Sequence, residues 1–171
     1  VQIISLDPMT ANKACGKQSK ISYGTLSHAG VLVSPGNVDK PVLIAEGPET
    51  ALSVAEAMPG HAVYAALGSS NFAHMPLNNE VKSVIFAADN DGLNAASVKQ
   101  LERAAHTLSL QGIDVSQVMP EELKQDFNDV LKEKGVSEIQ TLFKLPQVLQ
   151  KAIDKDQLKQ NMMDAVKQII K

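Results

Sequence analysis

The sequence predicts an α/β domain with a central, mainly parallel sheet of about four strands and helices on both faces. Apolar runs alternate with helical segments between residues 42 and 118, a pattern typical of βαβ units. The 171 residues suffice for one compact domain with a short appendage. Cys15 is the only cysteine, which excludes a disulfide framework and a multi-cysteine zinc module.

Residues 1–40 are predicted to form a small β-rich unit before the main sheet. The first six residues are typical of a short strand. Residues 21–23 and 30–33 are two further candidate strands, and we expect them to pair with each other. The turn signal Ser-Pro-Gly-Asn at 34–37 closes this unit.

Residues 41–135 are predicted to hold the parallel sheet. Strands are expected at 42–45, 62–67, 81–88 and 115–118. Helices are expected at 50–58, 93–110 and 126–134. Pro48 suits the first helical position and Glu49 the first turn, where negative charge is favourable.

Residues 136–171 are predicted to form a C-terminal helical appendage. Leu158, Met162 and Val166 recur at helical spacing with lysines between them, as in an amphipathic helix. The sequence leaves open whether this helix packs against the sheet domain or binds a partner.

The charge is unevenly distributed along the chain. The net charge is −3, but residues 41–135 sum to −7 while each flank sums to +2. Arg103 is the only arginine, so the chain lacks the basic profile of a protein that binds duplex DNA by charge alone. The acidic middle is either a solvated surface or a set of carboxylates gathered around a cation.

Several familiar functional patterns are absent from the sequence. It contains no GxxxxGK[ST], GxGxxG, HExxH or GxSxG. The histidines are scattered without ligand spacing, at His28, His61, His74 and His106. No apolar run is long enough to cross a bilayer, and the first residues lack a signal-peptide pattern. We therefore expect a cytoplasmic domain without membrane contact.

Two predicted strands carry acid and then glycine at their carboxyl ends. Glu46 and Gly47 follow the first strand. Asp89 and Asp91 follow the third strand and precede a glycine. Ligands of open parallel sheets bind outside the carboxyl ends of the strands. If the two strands are neighbours, Glu46 meets both aspartates in one crevice.

A divalent metal is one explanation for such a cluster. Close carboxylates raise each other's pKa unless a cation compensates, and Mg²⁺ prefers oxygen ligands while keeping positions open for phosphates. Mg²⁺ so held supports phosphoryl chemistry, with a neighbouring carboxylate as general acid or base. Helix capping or turn formation by Asp89 and Asp91, and a cap or surface role for Glu46, stay open.

Four motifs in order make the sequence resemble the TOPRIM domain of topoisomerases, bacterial-type primases, some nucleases and recombination proteins. The likeness is closest to plasmid and phage primases and to primase-like segments of mobile-element proteins. It covers about residues 1–135. The motifs are AEGPETALS at 45–53, ALGSSN at 66–71, ADND at 88–91 and DFND at 126–129.

The resemblance implies a TOPRIM-type, Rossmann-like fold and a set of site residues. Glu46 would be the general acid/base and also a ligand of Mg²⁺ together with Asp89 and Asp91, with Mn²⁺ as an alternative ion. Glu49 matches a second acidic position that would aid the metal or orient Glu46.

The resemblance also implies roles outside the two acidic strand ends. A binding loop of Gly68, Ser69, Ser70 and Asn71 would border the same crevice. Asp126 and Asp129 match the late motif without an assigned role, and capping of the following helix explains Asp126 equally well.

The function implied is Mg²⁺-dependent nucleotidyl transfer in a DNA primase-like protein. Single-stranded DNA and nucleoside triphosphates are the expected partners. The chain begins with valine, and we expect it to belong to a larger replication or conjugation protein. Two alternatives remain open: a non-catalytic TOPRIM module of a conjugative relaxase or helicase that binds DNA or a partner, and a metal-dependent nuclease.

Overall fold

The structure is a computed structural model. It describes residues 1–10, 13–16, 19–92, 96–151, 159 and 163. In chain order its elements are β1 (Gln2–Ile4), β2 (Lys20–Ser22), β3 (Val31–Ser34), β4 (Val42–Ala45), α1 (Pro48–Ala57), β5 (Val63–Ala65), a 3-10 helix (Ser69–His74), β6 (Ser83–Ala87), α2 (Ala96–Leu110), β7 (Asp114–Val118), α3 (Phe127–Lys134), α4 (Val136–Leu142) and β8 (Gln147–Gln150).

A six-stranded sheet in the order β3-β5-β4-β6-β7-β8 forms the centre of the molecule. Its four inner strands are parallel, and the two edge strands are antiparallel to their neighbours. The predicted α/β class with a mainly parallel sheet is confirmed. β4 and β6 are neighbours, with Ala45 opposite Ala87, so the two acidic strand ends lie side by side.

Helices cover both faces of this sheet, as predicted. All four residues of β4 are buried, and alternate residues contribute to opposite faces. Ile44 packs with α2 and the 3-10 helix. Leu43 packs with α1, α3 and α4 on the other face. None of the helices in the described ranges is long and apolar enough to cross a membrane.

The predicted pairing of residues 21–23 with 30–33 is wrong. β2 pairs with β1 in a separate two-stranded sheet, where Ile21 lies opposite Ile3. β3 instead pairs with β5 at the edge of the central sheet. Both candidate strands exist, but local sequence does not reveal which edge each completes, because that choice depends on residues far along the chain.

The C-terminal part is mixed rather than wholly helical. α4 fulfils the helical expectation at its start, whereas β8 is a strand that extends the sheet beside β7. β8 supplies hydrogen-bonding partners to an edge that would otherwise be open. The predicted helix with Leu158, Met162 and Val166 lies outside the described residues. The division at 1–40, 41–135 and 136–171 stays a prediction.

Candidate functional site

A broad groove of about 1010 Å³ opens beside the carboxyl ends of β4 and β6. Glu46, Glu49, Asp89 and Asp126 all line it. The structure thus brings together acids from three separate sequence motifs. Sheet topology is the cause, because the carboxyl ends of adjacent parallel strands meet at one edge.

The start of α1 leaves the carboxylate of Glu46 unused in capping the helix. Gly47 is the N-cap residue, with no side-chain cap bond, and Pro48 follows within the first helical turn. The Glu46 carbonyl accepts a hydrogen bond from the Gly68 amide at 3.2 Å. Glu46 is therefore not the cap of this helix, and its carboxylate makes no hydrogen bond or ion pair within the part of the chain that the structure describes. The side chain is free for chemistry in the groove.

Asp89 is the most perturbed acid of the groove. Burial raises the pKa of its carboxyl to about 7, and the charges of Asp126, Glu46, Asp91 and Asp129 add to the effect in that order. Its Oδ1 atom is buried and has no hydrogen-bond partner among the residues that the structure describes. A desolvated carboxylate oxygen among like charges is destabilising unless a proton or a cation joins it. This orphaned oxygen fits a metal ligand.

Asp91 is placed differently from Asp89. It is exposed, it does not line the groove, and its Oδ2 accepts a hydrogen bond of 3.0 Å from Ser97 Oγ near the start of α2. The expectation that both aspartates face one crevice is thus met by Asp89 alone in this arrangement. A metal-binding role for Asp91 stays a prediction.

The late motif forms the start of α3 and also reaches the groove. The Asp129 amide donates to Asp126 Oδ1 at 2.8 Å, and the Asp126 amide donates to Asp129 Oδ2 at 3.3 Å. These reciprocal bonds are a capping box, so capping by Asp126 is confirmed. Asp126 additionally lines the groove and contributes the largest charge effect on Asp89. Sequence reasoning gave it no chemical role, although the DFND motif marked the position.

The loop predicted to bind a cofactor does not line this groove. Gly68 adopts a φ of 144°, a backbone region that favours glycine. Asn71 is buried, and its amide nitrogen lies 2.5 Å from the Leu26 carbonyl, 3.2 Å from that of Ala29 and 2.9 Å from that of Ala66. Asn71 thus joins the β2–β3 connection to the end of β5. Ligand binding by Gly68, Ser69, Ser70 and Asn71 stays a prediction.

Three lysines also line the groove, and the sequence analysis did not predict them as site residues. Lys13 and Lys20 come from the N-terminal β unit, and Lys132 comes from α3. The only signal for Lys13 and Lys20 in the sequence was a scatter of lysines in residues 1–40, a region of positive sum, and nothing in the sequence marked Lys132. A groove lined by both carboxylates and ammonium groups suits a metal-assisted reaction of an anionic substrate.

The geometry of the acids limits the kind of metal site that is possible. Within the described ranges, no three His, Cys, Asp or Glu side chains are grouped so that they could enclose an ion. A closed structural site is thus not preformed there. Mg²⁺ requires less, since it is commonly held by one or two carboxylates, with water and substrate phosphates as the other ligands.

Comparisons with known proteins point to one family and one fold. The family model of the Toprim domain matches residues 41–137. No curated protein matches the sequence. Among solved structures, the DnaG primase catalytic domain bound to ssDNA has 18% identity and a TM-score of 0.55, over 78% of this chain and 45% of that one. At this identity the likeness shows the fold alone.

Two further primase structures have lower scores. The zinc-binding and RNA polymerase domains of the Aquifex aeolicus primase have 22% identity and a TM-score of 0.48, over 63% of this chain and 26% of that one. A primase domain from Pseudomonas aeruginosa has 18% identity and a TM-score of 0.49, over 66% and 36%. The present chain spans less than half the length of each of the three structures.

Proposed function

Because the chain belongs to the Toprim domain family, we propose that it is the Mg²⁺-dependent nucleotidyl-transfer domain of a DNA primase-like protein acting on single-stranded DNA. The observation that carries the proposal is the groove in which Glu46 and the unpartnered Oδ1 of Asp89 lie together. We further propose that the domain belongs to a larger replication or conjugation protein, and that Mn²⁺ can replace Mg²⁺.

Asp89 is the first metal ligand in this proposal. Its buried Oδ1 has no hydrogen-bond partner in the described part of the chain, and Glu46 and Asp126 border the same space. Asp91 would be a further ligand if it turned from Ser97 towards the groove. A divalent ion held there would neutralise the charge of substrate phosphates and orient an in-line attack. Glu49, in the first turn of α1, supports the metal or orients Glu46.

Glu46 is the general acid/base in this proposal. Nucleotidyl transfer joins a 3′-hydroxyl oxygen to the α-phosphorus of a nucleoside triphosphate. The bond between that phosphorus and the bridging oxygen breaks, and pyrophosphate leaves. The hydroxyl proton passes to the Glu46 carboxylate, which is suited to accept it because it is not occupied in capping α1.

The lysines hold the anionic partners. Lys13 and Lys20 reach the groove from the N-terminal β unit, and Lys132 from α3. Their ammonium groups bind phosphates of the triphosphate and of the DNA strand as point charges. Such contacts bring no sequence preference, which fits a domain that acts on any single-stranded template.

A second candidate is a Toprim module that binds DNA or a partner without catalysis. It is favoured by the engagement of Asp91 with Ser97, and by the lack of a preformed closed metal site among the described residues. A nuclease would use the same carboxylates with water as the nucleophile.

One assay separates these three functions. Labelled single-stranded DNA is incubated with the full chain and with the longer protein that carries it, with and without ribonucleotides, Mg²⁺ and EDTA. New products that need ribonucleotides and Mg²⁺ support primer synthesis. Shortening without ribonucleotides means a nuclease, and binding that is unchanged by EDTA means a module without catalysis.

The Asp89→Asn variant, with Asp39→Asn as its matched control, ties the result to this groove. Asp39 is an exposed carboxylate between β3 and β4, beside Lys40 and away from the groove. Primer synthesis lost in Asp89→Asn and kept in Asp39→Asn is the expected result. Wild-type synthesis in Asp89→Asn would contradict the proposal.

A further inference from the structure

Asn90, the residue between the two aspartates of the ADND motif, makes several hydrogen bonds to residues 30 or more positions away in the chain. The Asn90 amide donates to the Gln125 carbonyl at 3.0 Å, and its carbonyl accepts from the Lys124 amide at 2.6 Å. Its side-chain nitrogen donates to the Pro120 carbonyl at 3.0 Å and lies 3.4 Å from that of Glu121. All four partners belong to the segment 120–125 between β7 and α3.

An asparagine suits this junction for a chemical reason. Its side-chain NH₂ offers two donors to the two adjacent carbonyls. An aspartate of the same shape offers acceptors only, and it would place its charge against those carbonyl oxygens. Asn90 therefore supplies a contact that neither of its acidic neighbours can make.

The segment that Asn90 holds does not keep its shape by regular secondary structure. Lys124 adopts a φ of 64°, which is unfavourable for a residue with a side chain and needs support from its surroundings. Gly92 comes so close that a Cβ there would lie 3.2 Å from Leu123 Cδ1. The loop after β6 and the segment 120–125 are thus closely packed against each other.

The position of this segment decides where Asp126 lies. Asp126 directly follows Gln125 and begins α3, while Asp89 directly precedes Asn90. Asp89 and Asp126 both line the groove, although α2 and β7 lie between them in the chain. The bonds of Asn90 join the residue that follows Asp89 directly to the segment that precedes Asp126.

We propose that Asn90 is a positioning residue whose hydrogen bonds to the segment 120–125 hold the Asp126 carboxylate beside that of Asp89 in the groove. Its effect on metal binding rests on the proposed function, whereas its effect on the segment does not. Asn90 acts through other residues and need not touch substrate or metal itself.

The test compares Asn90→Ala with a matched asparagine elsewhere. Asn78 is exposed, and among the described residues its side-chain amide bonds only Glu80, two residues away, so Asn78→Ala is the control. Hydrogen exchange of the Lys124 and Asn90 amides is measured without metal. Mn²⁺ titration and the KM and kcat of extension follow, with circular dichroism as a check of folding.

In Asn90→Ala we expect exchange of the two amides to quicken about tenfold, as for loss of one typical hydrogen bond. The dissociation constant for Mn²⁺ is expected to rise by a similar factor. The KM for metal-bound nucleotide is expected to rise more than kcat falls. Asn78→Ala should match the wild type, and Asn90→Ser, which keeps one donor, should lie between wild type and Asn90→Ala.

Wild-type exchange in a folded Asn90→Ala would overturn the positioning role, as would quickened exchange with unchanged Mn²⁺ affinity. If Asn90→Ala does not fold, Asn90→Ser decides by the same measurements. If the wild type itself binds no Mn²⁺, the proposed function fails, and the exchange rates alone then decide whether Asn90 fixes the segment.

Discussion

Two helices begin with acidic residues beside the groove, but they use those acids differently. At the start of α3, Asp126 and Asp129 accept hydrogen bonds from each other's backbone amides. At the start of α1, Gly47 is the N-cap and makes no side-chain cap bond. The carboxylate of Glu46 consequently stays available.

This difference shows why an acid near a helix start is ambiguous in sequence. At α1, proline and glycine replace the capping side chain: Pro48 lacks one of the amide donors that a cap would satisfy, and its φ already suits the helix. The side chain of Glu46 then makes no structural hydrogen bond within the described ranges. At α3 the acidic side chain of Asp126 caps the helix and still borders the groove.

The largest effect is expected from removing the charge of Glu46, the acid at the start of α1 that caps no helix. Glu46→Gln should lower primer synthesis by about 10²–10⁴-fold, because a general acid/base is lost. The midpoint of thermal unfolding should hardly change, since Glu46 caps nothing. Single-turnover extension with saturating Mg²⁺ measures the loss, and Glu102→Gln on the exposed side of α2 is the matched control. Unchanged extension in Glu46→Gln would remove it from the chemistry.

A pH titration of stability compares how strongly the two helix starts act on Asp89. The pKa of its carboxyl is about 7 in the folded protein, against an ordinary value of 3.8, so the folded protein keeps a proton that the unfolded chain has released. The free energy of unfolding should therefore fall as the pH rises from about 4 to about 7, by on the order of 2 kcal/mol after screening.

Urea unfolding in EDTA at pH 5 and pH 8 measures this loss of stability. Asp89→Asn should remove most of it. Asp126→Asn should reduce it more than Glu46→Gln does, because Asp126 acts more strongly on Asp89. The reverse order would mean that the α1 start lies closer to Asp89 than the α3 start does.

Capping of α3 by Asp126 is expected to contribute less to the free energy of unfolding than the titration of Asp89 does. Asp126→Ala should destabilise the protein by about 1 kcal/mol, as is typical for loss of an N-cap. Asp126→Ser should recover most of that stability, because its hydroxyl can accept from the Asp129 amide. Urea unfolding at constant pH separates the two variants. Equal stability of Asp126→Ala and wild type would contradict the capping box.

The smallest effect is expected at Asp91, whose carboxylate neither caps a helix start by a capping box nor lines the groove but accepts a hydrogen bond from Ser97. Ser97→Ala should cost about 0.5 kcal/mol, the low end for a hydrogen bond, because the pair is exposed. It should also tighten Mn²⁺ binding about two- to threefold if release from Ser97 lets Asp91 reach the metal. Calorimetric titration of Mn²⁺ measures this, and weaker binding would argue against Asp91 as a ligand.

Sequence predicted the parts of this molecule that depend on neighbouring residues. The inner strands, α1 with Pro48 in its first turn, and the end of α3 at Gly135 follow from local patterns. The adjacency of Glu46 and Asp89 also followed, given a parallel sheet. The partner of β2, the edge strand β8 and the lysines of the groove did not follow, because each depends on contacts between distant segments.

The sheet order has a consequence for the time at which the groove forms during folding. Glu46, Asp89 and Asp126 are about forty positions apart from one to the next, and parallel pairing of β4 with β6 must close such a loop first. We therefore expect the acids to come together only when these long-range strand pairings form. A divalent ion would stabilise the finished domain by mass action, but it could not gather the chain around itself as zinc does in small zinc fingers.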